Sequence, residues 1–140
     1  MARPVREIMT ANPSTAKPDT PAFQVAQIMK NEDVGSIPIV EGNRLVGIVT
    51  DRDLCIQLIA ERKAVDSPVR EFMTGNPQTA APDSTIHDVG QLMATHQIRR
   101  LPIVEDGRLV GIVSLGDLAV DTQSDDLKVE TLEEISQGTR

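Results

Sequence analysis

A block of sequence occurs twice in this chain of 140 residues, and this repeat limits the possible folds more than any other feature. Val5-Arg-Glu-Ile-Met-Thr10 returns 64 residues later as Val69-Arg-Glu-Phe-Met-Thr74. The same offset relates Arg44-Leu-Val-Gly-Ile-Val49 to Arg108-Leu-Val-Gly-Ile-Val113 without a gap. Repetition at a fixed spacing is the signature of a duplicated structural unit. The chain is therefore expected to fold as two similar copies.

Both copies predict the same order of secondary-structure elements. Thr20-Pro21 and Ser84-Thr85 place hydroxyl residues before apolar residues at helical spacing, which predicts the starts of two helices. Two β-branched runs follow each helix, and the turn sequences Glu41-Gly42-Asn43 and Glu105-Asp106-Gly107 join them as hairpins. A second helix is expected from about Asp51 in the first copy and at the matching place in the second. With a short strand in front, each copy is β-α-β-β-α, a mixed α+β fold.

The copies are too small to bury a sufficient core alone, so we expect them to pack together about a pseudo-twofold axis. The first copy, with its lead-in and linker, is assigned to residues 1–66, and the second copy to 67–121. Residues 122–140 match neither copy and form an acidic tail. Ser124 followed by two aspartates is typical of a helix start, so the tail is predicted to be helical.

Charge and composition exclude several classes of function. The formal net charge of −7 disfavours general binding to nucleic acid or to anionic membranes. No apolar run approaches the ~18 residues of a membrane span, and the N-terminus lacks a signal-peptide pattern, so a cytoplasmic location is expected. Cys55 is the single cysteine, and His87 and His96 lack partners at metal-ligand spacing. No catalytic residues and no metal site are predicted.

Two short patterns, each present in both copies, resemble the CBS domain family. The first is Val34-Gly-Ser-Ile-Pro-Ile-Val40, matched by Ile98-Arg-Arg-Leu-Pro-Ile-Val104. The second is Gly47-Ile-Val-Thr-Asp-Arg-Asp53, matched by Gly111-Ile-Val-Ser-Leu-Gly-Asp117. The chain is thus similar to a stand-alone tandem CBS pair, or Bateman module. The resemblance implies a regulatory ligand, AMP, ADP, ATP or S-adenosylmethionine, held in the clefts between the two CBS repeats.

The residues Thr50-x-x-Asp53 and Ser114-x-x-Asp117 are the main candidates for ligand contacts. Each hydroxyl lies where a strand ends and a helix begins, and free amide groups at a helix start suit a phosphate. Each carboxylate, one turn later, could accept hydrogen bonds from the hydroxyls of a ribose. The alternative interpretation is that these residues only cap their helices. Both interpretations remain open at this point.

Basic residues and the walls for an adenine ring complete the predicted sites. Arg52 and Arg100 are candidates for phosphate contacts, since guanidinium groups bind phosphate oxygens in pairs. The resemblance implies such a role for Arg100 and leaves that of Arg99 open. It also implies that the adenine is held by backbone and aliphatic groups, from Thr15, Ala16, Lys17, Ile37 and Pro38 in the first copy and from Thr79, Ala80, Leu101 and Pro102 in the second.

These features predict a non-catalytic sensor of adenosine-containing ligands that signals to an effector protein. The Ser114–Asp117 site is expected to bind more tightly than the Thr50–Asp53 site, because Asp51 adds a negative charge to the latter. The apolar stripes on the small helices also predict a homodimer. The alternative function is a dimerisation or scaffold protein that binds no ligand.

Overall fold

A computed structural model describes residues 3–120, which form two compact units. The first-copy unit consists of residues 13–77 with 107–109. The second-copy unit consists, within the described chain, of residues 3–12, 78–106 and 110–120. The helix predicted in the tail over 122–140 lies outside the described residues. No helix between residues 3 and 120 is long and apolar enough to cross a membrane.

The first-copy unit has one long helix, a hairpin and a second helix. Its antiparallel strands lie in the order β2-β3-β4. A 3-10 turn at Val69–Glu71 precedes β4. The elements are α1 (Ala22–Glu32), β2 (Ser36–Glu41), β3 (Arg44–Thr50), α2 (Asp51–Asp53), which continues as a π-helix (Leu54–Ile59), and β4 (Thr74–Gly75).

The second-copy unit repeats this arrangement. Its strands lie in the order β5-β6-β1, and a 3-10 turn at Val5–Glu7 precedes β1. The elements are β1 (Thr10–Ala11), α3 (Ile86–His96), β5 (Arg100–Glu105), β6 (Arg108–Ser114, in this unit from Val110 onward) and α4 (Leu115–Ala119). The predicted mixed α/β fold of two repeated copies is confirmed.

Both predicted hairpins are present, and one of the two predicted helix caps is not. Gly42 and Gly107 have φ angles of 63° and 79°, the left-handed conformation that glycine adopts without strain. Thr85 caps α3 as predicted, because its Oγ1 accepts a hydrogen bond from the amide of Asp88 at 3.0 Å. The predicted cap at Thr20 is wrong. Its Oγ1 accepts from the amide of Lys17 and closes the preceding turn, so α1 begins after Pro21 with no side-chain cap.

Each compact unit contains the lead-in segment of the other copy. In the second-copy unit, the amide of Val5 donates to the carbonyl of Ser84 at 2.7 Å. In the first-copy unit, the amide of Val69 donates to the carbonyl of Thr20 at 2.8 Å. The lead-in that precedes each copy in sequence is therefore packed on the helix and strands of the other copy.

Gly47 and Gly111 make room for these lead-in segments. An ideal Cβ on Gly47 would lie 2.6 Å from the sulfur of Met73, and one on Gly111 would lie 2.5 Å from the sulfur of Met9. Real side-chain carbons do not approach this closely. The glycines that the CBS-like patterns share thus allow a methionine and a short strand to lie directly against β3 and β6.

The central strands bury one face in an aliphatic core. Ile37 and Ile39 of β2 belong to the first-copy core, and Leu101 and Ile103 of β5 belong to the second. Because successive side chains of a strand point to opposite faces, the intervening residues lie on the other face of each sheet. That other face carries five of the predicted ligand contacts, namely Pro38, Thr50, Arg100, Pro102 and Ser114, whereas the side chains of Ile37 and Leu101 are buried in the cores.

Candidate ligand-binding site

The first-copy site is assembled around β2. On one side, the amide of Ala16 donates to the carbonyl of Pro38 at 3.1 Å, and the amide of Val40 donates to the carbonyl of Ala16 at 2.9 Å. On the other side, Ser36 pairs with Thr50 across the β2–β3 ladder. The structure therefore brings residues 15–17, the Ile37-Pro38 segment and the start of α2 to one strand.

The second-copy site has the same construction around β5. The amide of Ala80 donates to the carbonyl of Pro102 at 3.2 Å, and the amide of Val104 donates to the carbonyl of Ala80 at 2.8 Å. The start of α4 is tied to the same strand, because the amide of Leu115 donates to the carbonyl of Arg99 at 2.8 Å. These connections bring the backbone at Thr79 and the Ser114–Asp117 pair to the two sides of β5, while the side chain of Leu101 points into the core.

The hydroxyl and carboxylate pairs form capping boxes in both copies. Thr50 Oγ1 accepts from the amide of Asp53 at 3.0 Å, and Asp53 Oδ2 accepts from the amide of Thr50 at 2.9 Å. The corresponding distances between Ser114 and Asp117 are 3.1 and 2.8 Å. A box of this kind satisfies two backbone donors at the helix start. The other carboxylate oxygen, Oδ1, has no partner among residues 3–120, so each aspartate can cap its helix and still accept a ligand hydroxyl.

The first turns of the two short helices differ in what they offer a ligand. In α2 the carboxylate of Asp51 accepts from the amide of Arg52 at 2.8 Å, and the amide of Asp51 donates to the carbonyl of Gly35. The first three amides of α2 are therefore bonded within the protein. In α4 the amide of Gly116, which corresponds to Arg52, has no hydrogen-bond partner in the described part of the chain.

Positive charge is also distributed unequally between the two sites. Arg100 is partly buried at the start of β5, and Arg99 is exposed beside it. Within residues 3–120 neither guanidinium group has an ion-pair or hydrogen-bond partner. Lys17 and Arg52 are both exposed at the first-copy site. An anion at the second-copy site would therefore meet an uncompensated, partly buried cation.

Ser36 is a site residue that sequence reasoning missed. It is 7% exposed, and its Oγ is shielded from solvent without a hydrogen-bond partner in the described chain. A buried hydroxyl without a partner is rare in proteins and costs about 1–3 kcal/mol. The repeat could have identified Ser36, because the 64-residue offset aligns it with Arg100, which is a predicted phosphate contact.

Residues 5–59 and 69–120 both match the CBS domain family, and the chain therefore belongs to that family as a tandem CBS pair. CBS pairs act in general as regulatory modules that bind adenosine-containing ligands. Its relatives include the CBS domain-containing protein YhcV of Bacillus subtilis, which is 42% identical over 132 residues, 94% of each chain.

The solved structures that are similar to this chain include a ligand complex and a zinc-containing protein. The CBS domain pair of protein MJ0100, in complex with 5′-methylthioadenosine and S-adenosyl-L-methionine, has a TM-score of 0.77 and 30% identity. The alignment covers 85% of this chain and 94% of that one. Hypoxic Response Protein I with two coordinated zinc ions has a TM-score of 0.78 and 30% identity, over 84% and 97% of the two chains. In residues 3–120 of this chain, no group of three His, Cys, Asp or Glu side chains could hold a metal ion.

Proposed function

We propose that this protein is a non-catalytic regulatory module that binds an adenosine-containing ligand and passes its ligand state to an effector protein. The observation that carries the proposal is the duplicated hydroxyl–carboxylate pair beside a CBS-type strand, in which one carboxylate oxygen of each copy has no partner within residues 3–120. The adenosine compounds bound by the similar MJ0100 pair support this ligand class. The candidate ligands are AMP, ADP, ATP, S-adenosylmethionine and 5′-methylthioadenosine.

The residues of each copy divide into those that hold the ribose and those that hold the base. Oδ1 of Asp53 and of Asp117 would accept from the ribose hydroxyls, as acidic residues do in other nucleotide sites. The adenine would lie along β2 or β5, where Ala16 and Ala80 stay close to the strand through their backbone bonds. Arg100 would bind a phosphate when the ligand carries one.

Thermal unfolding with added ligand tests this function directly. A ligand that binds only the folded protein stabilises it by about 2.7 kcal/mol at one hundred times its Kd. We expect an adenosine compound to raise Tm, and the matching guanosine compound to leave it unchanged. The protein has no Trp or Tyr, so a dye or calorimetry must report unfolding.

Variants connect the stabilisation to the proposed contacts. The double variant Asp53→Asn and Asp117→Asn should lose most of the ligand-induced shift in Tm. Asp66→Asn, an exposed aspartate outside both sites, serves as the control for the loss of a negative charge. If no adenosine compound raises Tm in the unmodified protein, the proposed function is wrong, and a scaffold without a ligand becomes the better hypothesis.

We also propose that the protein forms a homodimer. Phe23, Ile56, Ile59 and Val65 of the first-copy unit are large apolar side chains with exposed fractions from 39% to 67%. Phe23 and Val65 are adjacent, since the amide of Phe23 donates to the carbonyl of Val65 at 2.9 Å. A twofold contact would remove such surface from water.

Sedimentation equilibrium at micromolar concentration should therefore give twice the chain mass of 15.2 kDa. Ile59→Glu should shift the protein towards the monomer, and Asn31→Glu, an exposed position on α1, should not. A monomeric unmodified protein would contradict this proposal.

A further inference from the structure

We propose that the two copies select ligands of different charge. The second-copy site prefers adenosine ligands with a phosphate at the 5′ end. The first-copy site prefers adenosine ligands without a negative charge there, and Ser36 supplies a hydrogen bond to them. This inference rests on the proposed function, because it assigns a ligand class to each of the proposed sites.

The two copies differ at two positions that are neighbours in the fold, residues 35 and 51 of the first copy and residues 99 and 115 of the second. In the first copy, the carboxylate of Asp51 lies over the backbone of Gly35, where an ideal Cβ would be 3.2 Å from its Oδ2. In the second copy, the 64-residue offset places Leu115 and Arg99 at these positions. Leu115 packs partly buried against the apolar core of its unit. The first copy thus carries a carboxylate beside its hydroxyl–aspartate pair where the second carries an apolar side chain.

The charges around the two hydroxyl–aspartate pairs therefore differ in balance. At the first-copy site Asp51 and Asp53 are offset by the exposed cations Lys17 and Arg52, so the formal charges cancel. At the second-copy site, Asp117 is outweighed by Arg99 and Arg100, which leaves a net positive charge.

The positions of these cations add to the difference. Arg100 is partly buried at the start of β5 and has no partner within residues 3–120, whereas Lys17 and Arg52 are exposed to solvent. A charge that is shielded from water acts more strongly on a ligand than an exposed one. The charge pattern consequently favours phosphate at the second-copy site.

Ser36 indicates that the first-copy site has a polar partner of its own. Ser36 is the first-copy residue that corresponds to Arg100. It pairs with Thr50 across the β2–β3 ladder, so the two side chains lie on the same face of the sheet. Its buried Oγ lacks any hydrogen-bond partner in the described chain. A neutral hydroxyl can donate to or accept from an uncharged group, and it brings no charge to attract a phosphate. The unused hydroxyl therefore fits a ligand whose 5′ substituent is neutral or cationic.

Calorimetric titration of the intact protein with AMP and with 5′-methylthioadenosine tests the assignment. Arg100→Ser, which installs the first-copy residue, should weaken AMP binding about tenfold or more and leave 5′-methylthioadenosine within twofold. Ser36→Ala should weaken 5′-methylthioadenosine about two- to tenfold and leave AMP unchanged. Arg6→Ser, an exposed arginine of the second-copy unit away from the hydroxyl–aspartate pair, is the charge control.

The reverse exchange gives an independent measurement. Asp51→Leu, which installs the second-copy residue, should raise the affinity of the first-copy site for AMP and produce a second resolvable AMP-binding event. Asp51→Asn keeps the amide hydrogen bond and should act in the same direction, which guards against a folding defect in the leucine variant.

The outcomes separate this inference from the proposed function. If Arg100→Ser and Ser36→Ala weaken both ligands equally, the charge selection is wrong and the adenosine-binding function stands. If 5′-methylthioadenosine binds with full affinity to Ser36→Ala, the role of Ser36 is wrong. If the unmodified protein binds neither compound, the proposed function fails, and the assignment of ligands fails with it.

Discussion

Substitution of Gly47 by alanine tests how tightly the lead-in segment packs against the central strand. The added Cβ would lie 2.6 Å from Met73 Sδ and 2.9 Å from the carbonyl oxygen of Thr74. Favourable contacts between carbon atoms lie at about 3.5–4.0 Å, so both neighbours would have to move. The methionine can change its rotamer, whereas the carbonyl belongs to the β3–β4 ladder, where Gly47 pairs with Gly75.

The expected loss of stability follows from this geometry. Overpacking of a filled site costs typically about 1–3 kcal/mol. Replacement of glycine by alanine in a strand gains about 0.5–1 kcal/mol from reduced backbone entropy. The net loss should therefore be about 1–2 kcal/mol, or a decrease in Tm of roughly 2–8 °C.

Gly75 provides a matched control on the neighbouring strand. An ideal Cβ at Gly75 meets no atom within 4 Å. Gly75→Ala should therefore be neutral or stabilising by up to about 1 kcal/mol. Urea denaturation followed by circular dichroism would measure all variants, provided that the m-value stays constant. In a Met73→Ala background Gly47→Ala should cost less than it does in the unmodified protein, because the clash with sulfur is gone, but it should still cost something, because the contact with the carbonyl remains. If Gly47→Ala is as stable as Gly75→Ala, the close packing of the lead-in described above is wrong.

Three further predictions follow from other described contacts. Ser114→Ala removes the cap and should cost about 1 kcal/mol of stability with little effect on ligand affinity, whereas Asp117→Ala should lower both stability and affinity. An Asp117→Ala variant that is less stable but binds with unchanged affinity, measured by calorimetry, would favour a purely capping role. Gly107→Ala should destabilise the protein more than Gly42→Ala. A Cβ at Gly107, which has a φ of 79°, would lie 2.6 Å from a guanidinium nitrogen of Arg44, whereas a Cβ at Gly42 would meet no atom within 4 Å. Denaturation curves that rank the two variants in the opposite order would contradict this. Thr85→Ala should lower the free energy of unfolding by about 1 kcal/mol, and an unchanged urea midpoint would show that its cap is dispensable.

The local elements of this protein follow closely from its sequence. The hairpins could be predicted because Gly42 and Asp106-Gly107 are turn sequences flanked by β-branched runs. Because the two copies are related by a constant offset, each element predicted in one copy could also be predicted at the matching residues of the other. The cap at Thr20 was misjudged because a hydroxyl before a helix can instead close the preceding turn, and composition does not distinguish the two hydrogen bonds.

The longer-range features could not be predicted in the same way. A repeat gives the positions of Val5 and Val69 within each copy, but it does not say which copy each lead-in packs against. The spacing of Thr50 and Asp53, and of Ser114 and Asp117, was enough to predict that each pair lies at a helix start. The burial of the Ser36 hydroxyl could not be predicted in this way, because it depends on which atoms of other segments cover it.

The lead-in contacts impose an order of events during synthesis. A chain leaves the ribosome from its N-terminus, so the Val5 amide emerges long before the carbonyl of Ser84 that accepts its hydrogen bond. Residues 13–77, by contrast, make up nearly all of the first-copy unit in one continuous stretch. The internal contacts of this stretch can begin to form while the second copy is still being translated. The segment 3–12, although made before both compact stretches, must wait for the second copy before it can dock.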